Sequence, residues 1–304
     1  MAEKFKFKDI FSLLKETFKE WINDDPFYLS AVVAYYTLIA LPGLLMIVVK
    51  LVGTFWQEAA AKQEIMLQVK EVLGADTATQ FETIIERTMS GTDTVMATVL
   101  SLATLIFGAT GVFFMLQKSL NRVWDVRVNP DSGILRMIKS RAIGLGLIVV
   151  LGFFLLVFLL ISTAISVLGD WIINNLPEFL FYSVYLIDIS LSLIILTFLF
   201  ATIYKVLPDV EIGWESLWVG SGVTSALFVA GKYALSIYFG NSDPASAYGV
   251  AGSMVIILLW VSYSCLLIFF GAEFTQVYAR RYAQPIRPAR HAHRVKIQKI
   301  DLDQ

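Results

Sequence analysis

Two residues, Asp188 and Lys232, interrupt apolar runs long enough to be buried in hydrocarbon. A charge in that position is costly, and the few that occur mark pathways, relays or internal ion pairs. Helical rise puts Asp188 roughly 14 Å and Lys232 roughly 11 Å from the same outer boundary, at about 1.5 Å per residue. The matching depths allow an ion pair inside a bundle, serving a gate or substrate path in one reading and structure alone in the other. Lys232 could also snorkel, as Lys50 is expected to do near its own boundary. Tyr35 and Tyr36 sit well inside the first run, which favours an inward-facing role, and Pro42 in the same run predicts a kink. Small and polar residues recur at Gly108-Ala109-Thr110-Gly111 and from Ser246 through Tyr248 to Ser253. They suit close helix packing or a polar path equally. The path residues in the functional reading are Tyr35, Tyr36, Asp188, Lys232, Ser246 and Tyr248.

A second group gathers where the runs meet basic flanks. Gln117, Asn121 and Trp124 share one helical face, with Arg122 and Arg141 beside them, and Glu273 lies near Arg280 and Arg281. The group could bind an anionic headgroup or substrate at a cytoplasmic mouth. The plainer reading makes the arginines ordinary flanking anchors and Glu273 one half of an interfacial ion pair.

The elements that must position these residues are six apolar runs, near 28–52, 94–116, 142–168, 179–204, 216–239 and 248–274. A hydrocarbon core about 30 Å thick needs roughly 20 apolar helical residues, so each run is long enough to span. Charged residues make up only 16% of the 304-residue chain, well below the roughly one quarter of a soluble domain. Of the 24 Lys and Arg, 19 flank the runs on one side and three on the other, with Lys50 and Lys232 inside runs. The positive-inside rule then predicts cytoplasmic termini, with 53–93, 169–178 and 240–247 facing outward. The fold class expected is all-α: a polytopic membrane protein of six transmembrane helices with both termini cytoplasmic. Two halves of three spans would have opposite orientation, as in an inverted repeat. No convincing residue correspondence between them is present.

Outside the runs, 1–25 forms an amphipathic stripe of Phe7, Ile10, Phe11, Leu14, Phe18, Trp21 and Ile22. Such a stripe suits a helix lying in the interface or packing on the bundle ends, and Asp24-Asp25-Pro26 breaks it. It lacks the continuous apolar core and small-residue cleavage site of a signal peptide. Within the transmembrane unit, 26–278, the segment 53–93 predicts two short helices broken at Gly74, forming an outer cap. Thr79 and Glu82 give the second a capping box. The 279–304 segment, with seven basic residues and two prolines, is expected to be a mobile tail near anionic headgroups. Cys265 is the one cysteine, so neither an intrachain disulfide nor a CxxC site can form, and it is expected to be lipid-facing or packing material.

Several of these pieces together resemble the YihY/BrkB family of bacterial inner-membrane proteins. They are Ala34-Tyr35-Tyr36, Gly108-Ala109 with Gly111-Val112-Phe113, and Leu116-Gln117 with Leu120-Asn121 and Trp124, followed by Ala247-Tyr248-Gly249 and Gly271-Ala272-Glu273-Phe274-Thr275. The resemblance covers roughly 25–280. Leu41-Pro42-Gly43 departs from the Leu-Pro-Pro or Phe-Pro associated with that position, which bears on local helix geometry alone. The resemblance implies a six-span envelope protein, described as a transporter or exporter, whose activity is not well settled.

The same family carries the label ribonuclease BN. A metal-dependent nuclease of that kind needs clustered ligands such as H-x-H-x-D-H, and the two histidines, His291 and His293, have no such neighbours in sequence. A P-loop and a GxSxG elbow are also absent from the sequence. The expectation is therefore a protein that is not an enzyme, with no cofactor, no metal site and no nucleic-acid partner. Membrane lipids and an anionic or lipid substrate are its expected partners. Small residues on several runs permit a homodimer. A structural or adaptor protein of the envelope is the alternative function.

Overall fold

The computed structural model describes residues 9–55, 110–128, 179–241 and 252–295, with scattered positions in 62–86 and 142–157; for 42–55 and 179–188 it describes the main chain alone. Six helices carry most of this: α1 (Ile10–Asn23), α2 (Pro26–Phe55), α3 (110–123), α4 (Phe179–Val206), α5 (Trp214–Asn241) and α6 (Gly252–Tyr282). Four short strands accompany them, β1 (Val126–Val128), β2 (Val210–Glu211), β3 (Arg287–Pro288) and β4 (Ala292–Arg294). Among the described residues, Ile189–Val206 and Met254–Tyr282 are long and apolar enough to cross a membrane. Most of the runs at 94–116 and 142–168 lies outside the described residues, as do Arg141, Ser246 and Tyr248.

The packing centres on α6, which lies against α1, α2 and α5, while α5 also packs on α4. Its neighbours contribute Leu120, Trp124, Tyr204 and Leu217 to one buried cluster around Phe269 and Ala272. Cys265 is buried in that cluster, so it is packing material.

Helices α5 and α6 approach closely through a reciprocal pair of sites. A Cβ added to Gly220 would stand 1.8 Å from Oγ1 of Thr275, and one added to Gly271 would stand 1.8 Å from Oγ1 of Thr224. Each helix thus carries a Gly-x-x-x-Thr step, and the glycine of one receives the threonine of the other. The hydroxyls are satisfied at home: Thr224 donates to the Gly220 carbonyl at 2.8 Å, and Thr275 donates to that of Gly271 at 2.7 Å. Small residues that let backbones approach are the usual way helices associate where water supplies no driving force.

The break after α1 falls where the sequence placed it. Asp25 adopts φ 55°, a left-handed conformation that Asp tolerates better than bulkier residues, and its carbonyl accepts the first bond of α2 from Leu29. Pro26 occupies the first turn of α2, where its missing N–H costs nothing, and the helix continues through Pro42.

Two expectations, one about α1 and one about the C-terminal segment, are refined by the structure. Its buried residues are Leu13 and Thr17, and Trp21 packs against the core, while Phe11, Leu14, Phe18 and Ile22 of the apolar stripe are exposed. The cause is electrostatic: Arg280 pairs with Glu16 and Glu20, and Arg281 with Glu16, turning that face toward α6. One face of the helix is docked on the bundle and one apolar face is turned outward.

The 279–304 segment is the second correction. Helix α6 runs on to Tyr282, and the chain then supplies both β3, antiparallel to β2, and β4, antiparallel to β1. As far as Val295, this is built structure. In the 53–93 segment, the described positions before and after Gly74 are helical, and Lys62 pairs with Glu82 and Glu86, while Gly74 itself lies outside the described residues.

Candidate functional site at the charged end of the helices

Asp209, which the sequence reading passed over, organises the end of the molecule where α3, α4 and the C-terminal strands meet. Its Oδ2 accepts hydrogen bonds from Nδ2 of Asn121 at 2.8 Å and Nε2 of Gln117 at 3.2 Å. The Asn121 carbonyl oxygen accepts from the Asp209 backbone N–H at 2.8 Å, so one amide side chain grips the residue at both its groups. Nε2 of His291 lies 2.7 Å from Oδ1; a carboxylate can only accept, so that nitrogen carries the hydrogen. The Asp209 carbonyl in turn accepts from Ala289. Gln117 and Asn121 are four residues apart on α3 and so present both amides to one side, which was legible. Which distant carboxylate would meet them was not.

Trp124 and Tyr204 pin the same region to α6. The indole N–H of Trp124 donates to the Ala272 carbonyl at 2.9 Å, and the Tyr204 hydroxyl donates to that of Ile268 at 2.7 Å, with Thr224 3.0 Å away. Their rings meet edge to face. Asp125, just after Trp124, has φ 53° and ends α3 in the left-handed region, and its carbonyl accepts from Val295 at 2.8 Å beside the β1–β4 pair.

Around this frame the charges are mostly paired. Arg122 bonds Asp25 at 2.8 Å, so the arginine assigned to a cytoplasmic mouth ties α3 to the α1–α2 turn. Arg280 and Arg281 are engaged by Glu16 and Glu20 of α1, as described above, and among the described residues no ion pair joins either of them to Glu273. Glu273 is 1% exposed and its Oε2 has no hydrogen-bond donor among the described residues. Asp24 and Asp125 complete an acidic group. Burial first, and the Asp125 charge second, push the Asp24 carboxyl up to about 7; burial likewise raises that of Asp125, against the pull of Arg294.

The residues expected along a path are less gathered. Tyr35, expected to face inward, is 59% exposed and stands at right angles to the Tyr36 ring. Tyr36 is partly buried and packs against the core. Lys232 is half-buried on α5, and Asp188 lies on α4 within the main-chain-only stretch. Among the described residues, no three His, Cys, Asp or Glu side chains converge as metal ligands would.

Comparison with known proteins agrees with the motifs. The chain is 26% identical over 175 residues to a UPF0761 membrane protein of Delftia acidovorans, covering 56% of this chain and 39% of that one. It is 29% identical over 110 residues to a UPF0761 membrane protein of Aeromonas salmonicida, covering 36% and 38%. A ribonuclease-like protein of Bacillus subtilis, YfkH, is 22% identical over 281 residues, covering 90% and 98%. The match thus spans about two fifths of the length of the first two relatives and nearly all of the third. No solved structure matches the chain. Residues 17–296 match the family described as Virulence factor BrkB, so the chain is a membrane protein belonging to the BrkB family.

Proposed function

We propose that this protein is a multi-pass transporter or flippase of the bacterial inner membrane that moves an amphipathic or anionic molecule between its helices. In this reading it has six spans with both termini in the cytoplasm, membrane lipids around it and no catalytic step of its own. The observation that carries the proposal is Lys232, a cation half-buried in the apolar helix α5. An ionisable residue within such a helix is costly enough that a role in handling substrate is its default reading. Asp188 on α4, the Tyr35 and Tyr36 pair on α2, and Ser246 and Tyr248 would line the rest of the route. The test is transport by the full chain in proteoliposomes, with a panel of anionic lipids and small anions. Movement of at least one probe above empty vesicles, reduced at least about tenfold by Lys232→Met in folded protein, is expected, a change in barrier of about 1.4 kcal/mol. No movement of any probe, or full activity in that variant, overturns it.

A second reading is an adaptor of the envelope, and one observation favours it. The hydroxyls of Thr224, Ser225 and Thr275 are all taken up by carbonyls of their own helices at 2.8 Å or less, as packing alone requires. Such a protein co-purifies with one envelope complex and moves nothing in vesicles.

A further inference from the structure

The two strand pairs built with the C-terminal segment hold exposed cations on a fixed frame. In the β1–β4 pair, Arg127 stands directly opposite His293; both are exposed, while Val126 beside Arg127 is buried. Alternation along a strand therefore turns Arg127 and His293 to one outer face. In the β2–β3 pair, Arg287 is exposed opposite Glu211. Between β3 and β4 the chain turns through 289–292, closed by the Ala292 N–H donating to the Ala289 carbonyl at 2.9 Å, and Arg290 is exposed within that turn.

These charges are not consumed inside the molecule. Among the described residues, no carboxylate lies within ion-pair distance of Arg127, Arg287 or Arg290, whereas Arg122, Arg280 and Arg281 are each paired. The carboxylates described in the same unit are differently placed. Asp209 is engaged by His291, Gln117 and Asn121, and Asp125 lies next to Val126, the strand partner of Arg294. Glu211 is the exposed one. Three arginines thus face outward against one exposed acid, a surface complementary to an anion of several charges.

The neighbouring side chains decide which anion. Glu211 precedes Trp214 by three residues, no more than about 10 Å of extended chain. Trp214, at the head of α5, is 62% exposed and stacks on Trp218, which meets Phe198 of α4. Nζ of Lys205 lies 5.0 Å over the Trp214 ring and donates to the Ile212 carbonyl. Exposed tryptophans with a lysine at the ends of apolar helices are the pattern of a membrane interface. The strand pairs therefore start at the level of the headgroups, which favours lipid phosphate over a soluble polyanion.

We propose that the β1–β4 and β2–β3 pairs form a docking surface for anionic phospholipid headgroups, with Arg127, Arg287 and Arg290 as the phosphate contacts. The inference rests on residence in a membrane and not on the transport reading. A guanidinium fork matches two phosphate oxygens at once. Because the strand pairs already hold the arginines in place, binding orders less chain than a free basic tail would.

The test is native mass spectrometry of the full chain in a neutral detergent, titrated with phosphatidylglycerol or with phosphatidylcholine. Phosphatidylglycerol should bind at least about tenfold more tightly. Arg127→Gln, Arg287→Gln and Arg290→Gln together should remove most of that preference without lowering the melting temperature, since all three side chains are exposed. Lysine at the same three positions should retain more of it than glutamine does. Equal affinity of the native chain for the two lipids overturns the proposal, as does a full preference in the folded glutamine variant. If that variant does not fold, the native chain decides: the preference should collapse between about 0.05 M and about 0.5 M salt, and its persistence overturns the proposal. A single-stranded RNA oligonucleotide that binds more tightly than phosphatidylglycerol, and is lost in the same variant, assigns the surface to nucleic acid and overturns it too.

Discussion

Asp209 holds three elements together through one carboxylate, and that makes it costly to remove. Asn121 is 7% exposed, and its amide donates to Oδ2 at 2.8 Å. Asp209→Ala removes the acceptor of that amide, and an unsatisfied buried donor costs about 1–3 kcal/mol. Thermal unfolding in detergent should show the loss, with Asp209→Asn in between because it keeps one acceptor. Asp24 gives the opposite sign at the same scale. Its carboxyl is raised to about 7 from an ordinary value near 3.8, so the folded chain binds more protons than the unfolded chain between those values. Stability contributed by its protonation is therefore present at the acid end and lost as pH rises through about 7. Asp24→Asn should raise the melting temperature at pH 8 and do little at pH 5, with an effect on the order of 1 kcal/mol after allowance for solvent screening. A variant less stable than the native chain at pH 8 would contradict the assignment of burial and Asp125 as the causes.

At the scale of elements, the α5–α6 crossing and the outer face of α1 fail in different ways. The added methyl of Gly271→Ala would stand 1.8 Å from Oγ1 of Thr224 and 2.7 Å from the Tyr204 hydroxyl, so the helices must separate. Overpacking of this kind costs about 1–3 kcal/mol. Thr224→Ala in the same chain removes the nearest obstacle and should recover part of the loss, a coupling that a double-mutant cycle in detergent measures. By contrast, Phe11 and Phe18 are 80% and 55% exposed, so replacing both with Ser should leave melting in detergent nearly unchanged. Their role is read instead in a bilayer, where a fluorophore placed on α1 should sit closer to water in the double variant. The stripe was legible because amphipathic periodicity shows in sequence. Its outward direction was not, since that depends on Arg280 and Arg281, more than 250 positions away, meeting Glu16 and Glu20.

Across the whole molecule, the same division separates what could be read from what could not. Apolar runs long enough to span, the break at Asp25-Pro26, and the amide face of Gln117 and Asn121 are local patterns. The partner of that face and the fate of the C-terminal segment are contacts between distant parts of the chain, and basic residues with two prolines look the same in sequence whether free or paired. The structure assigns this segment a definite task. Beyond Tyr282, it supplies β3 to pair with β2, β4 to pair with β1, and His291 to reach Asp209. Truncation after Tyr282 should therefore behave as the loss of a packed element. Ile286, 6% exposed, leaves the core cluster, and Val126 and Val210 lose their strand partners. Melting of the truncated chain should fall well below that of His291→Ala, which removes one exposed bond to Asp209 and keeps both strand pairs. Equal melting of the truncated and native chains would return 283–295 to the status of a tail. Burial of Ile286 and the pairing of β1 with β4 argue against that outcome, since each removes main-chain or apolar groups from water that a free segment would leave exposed.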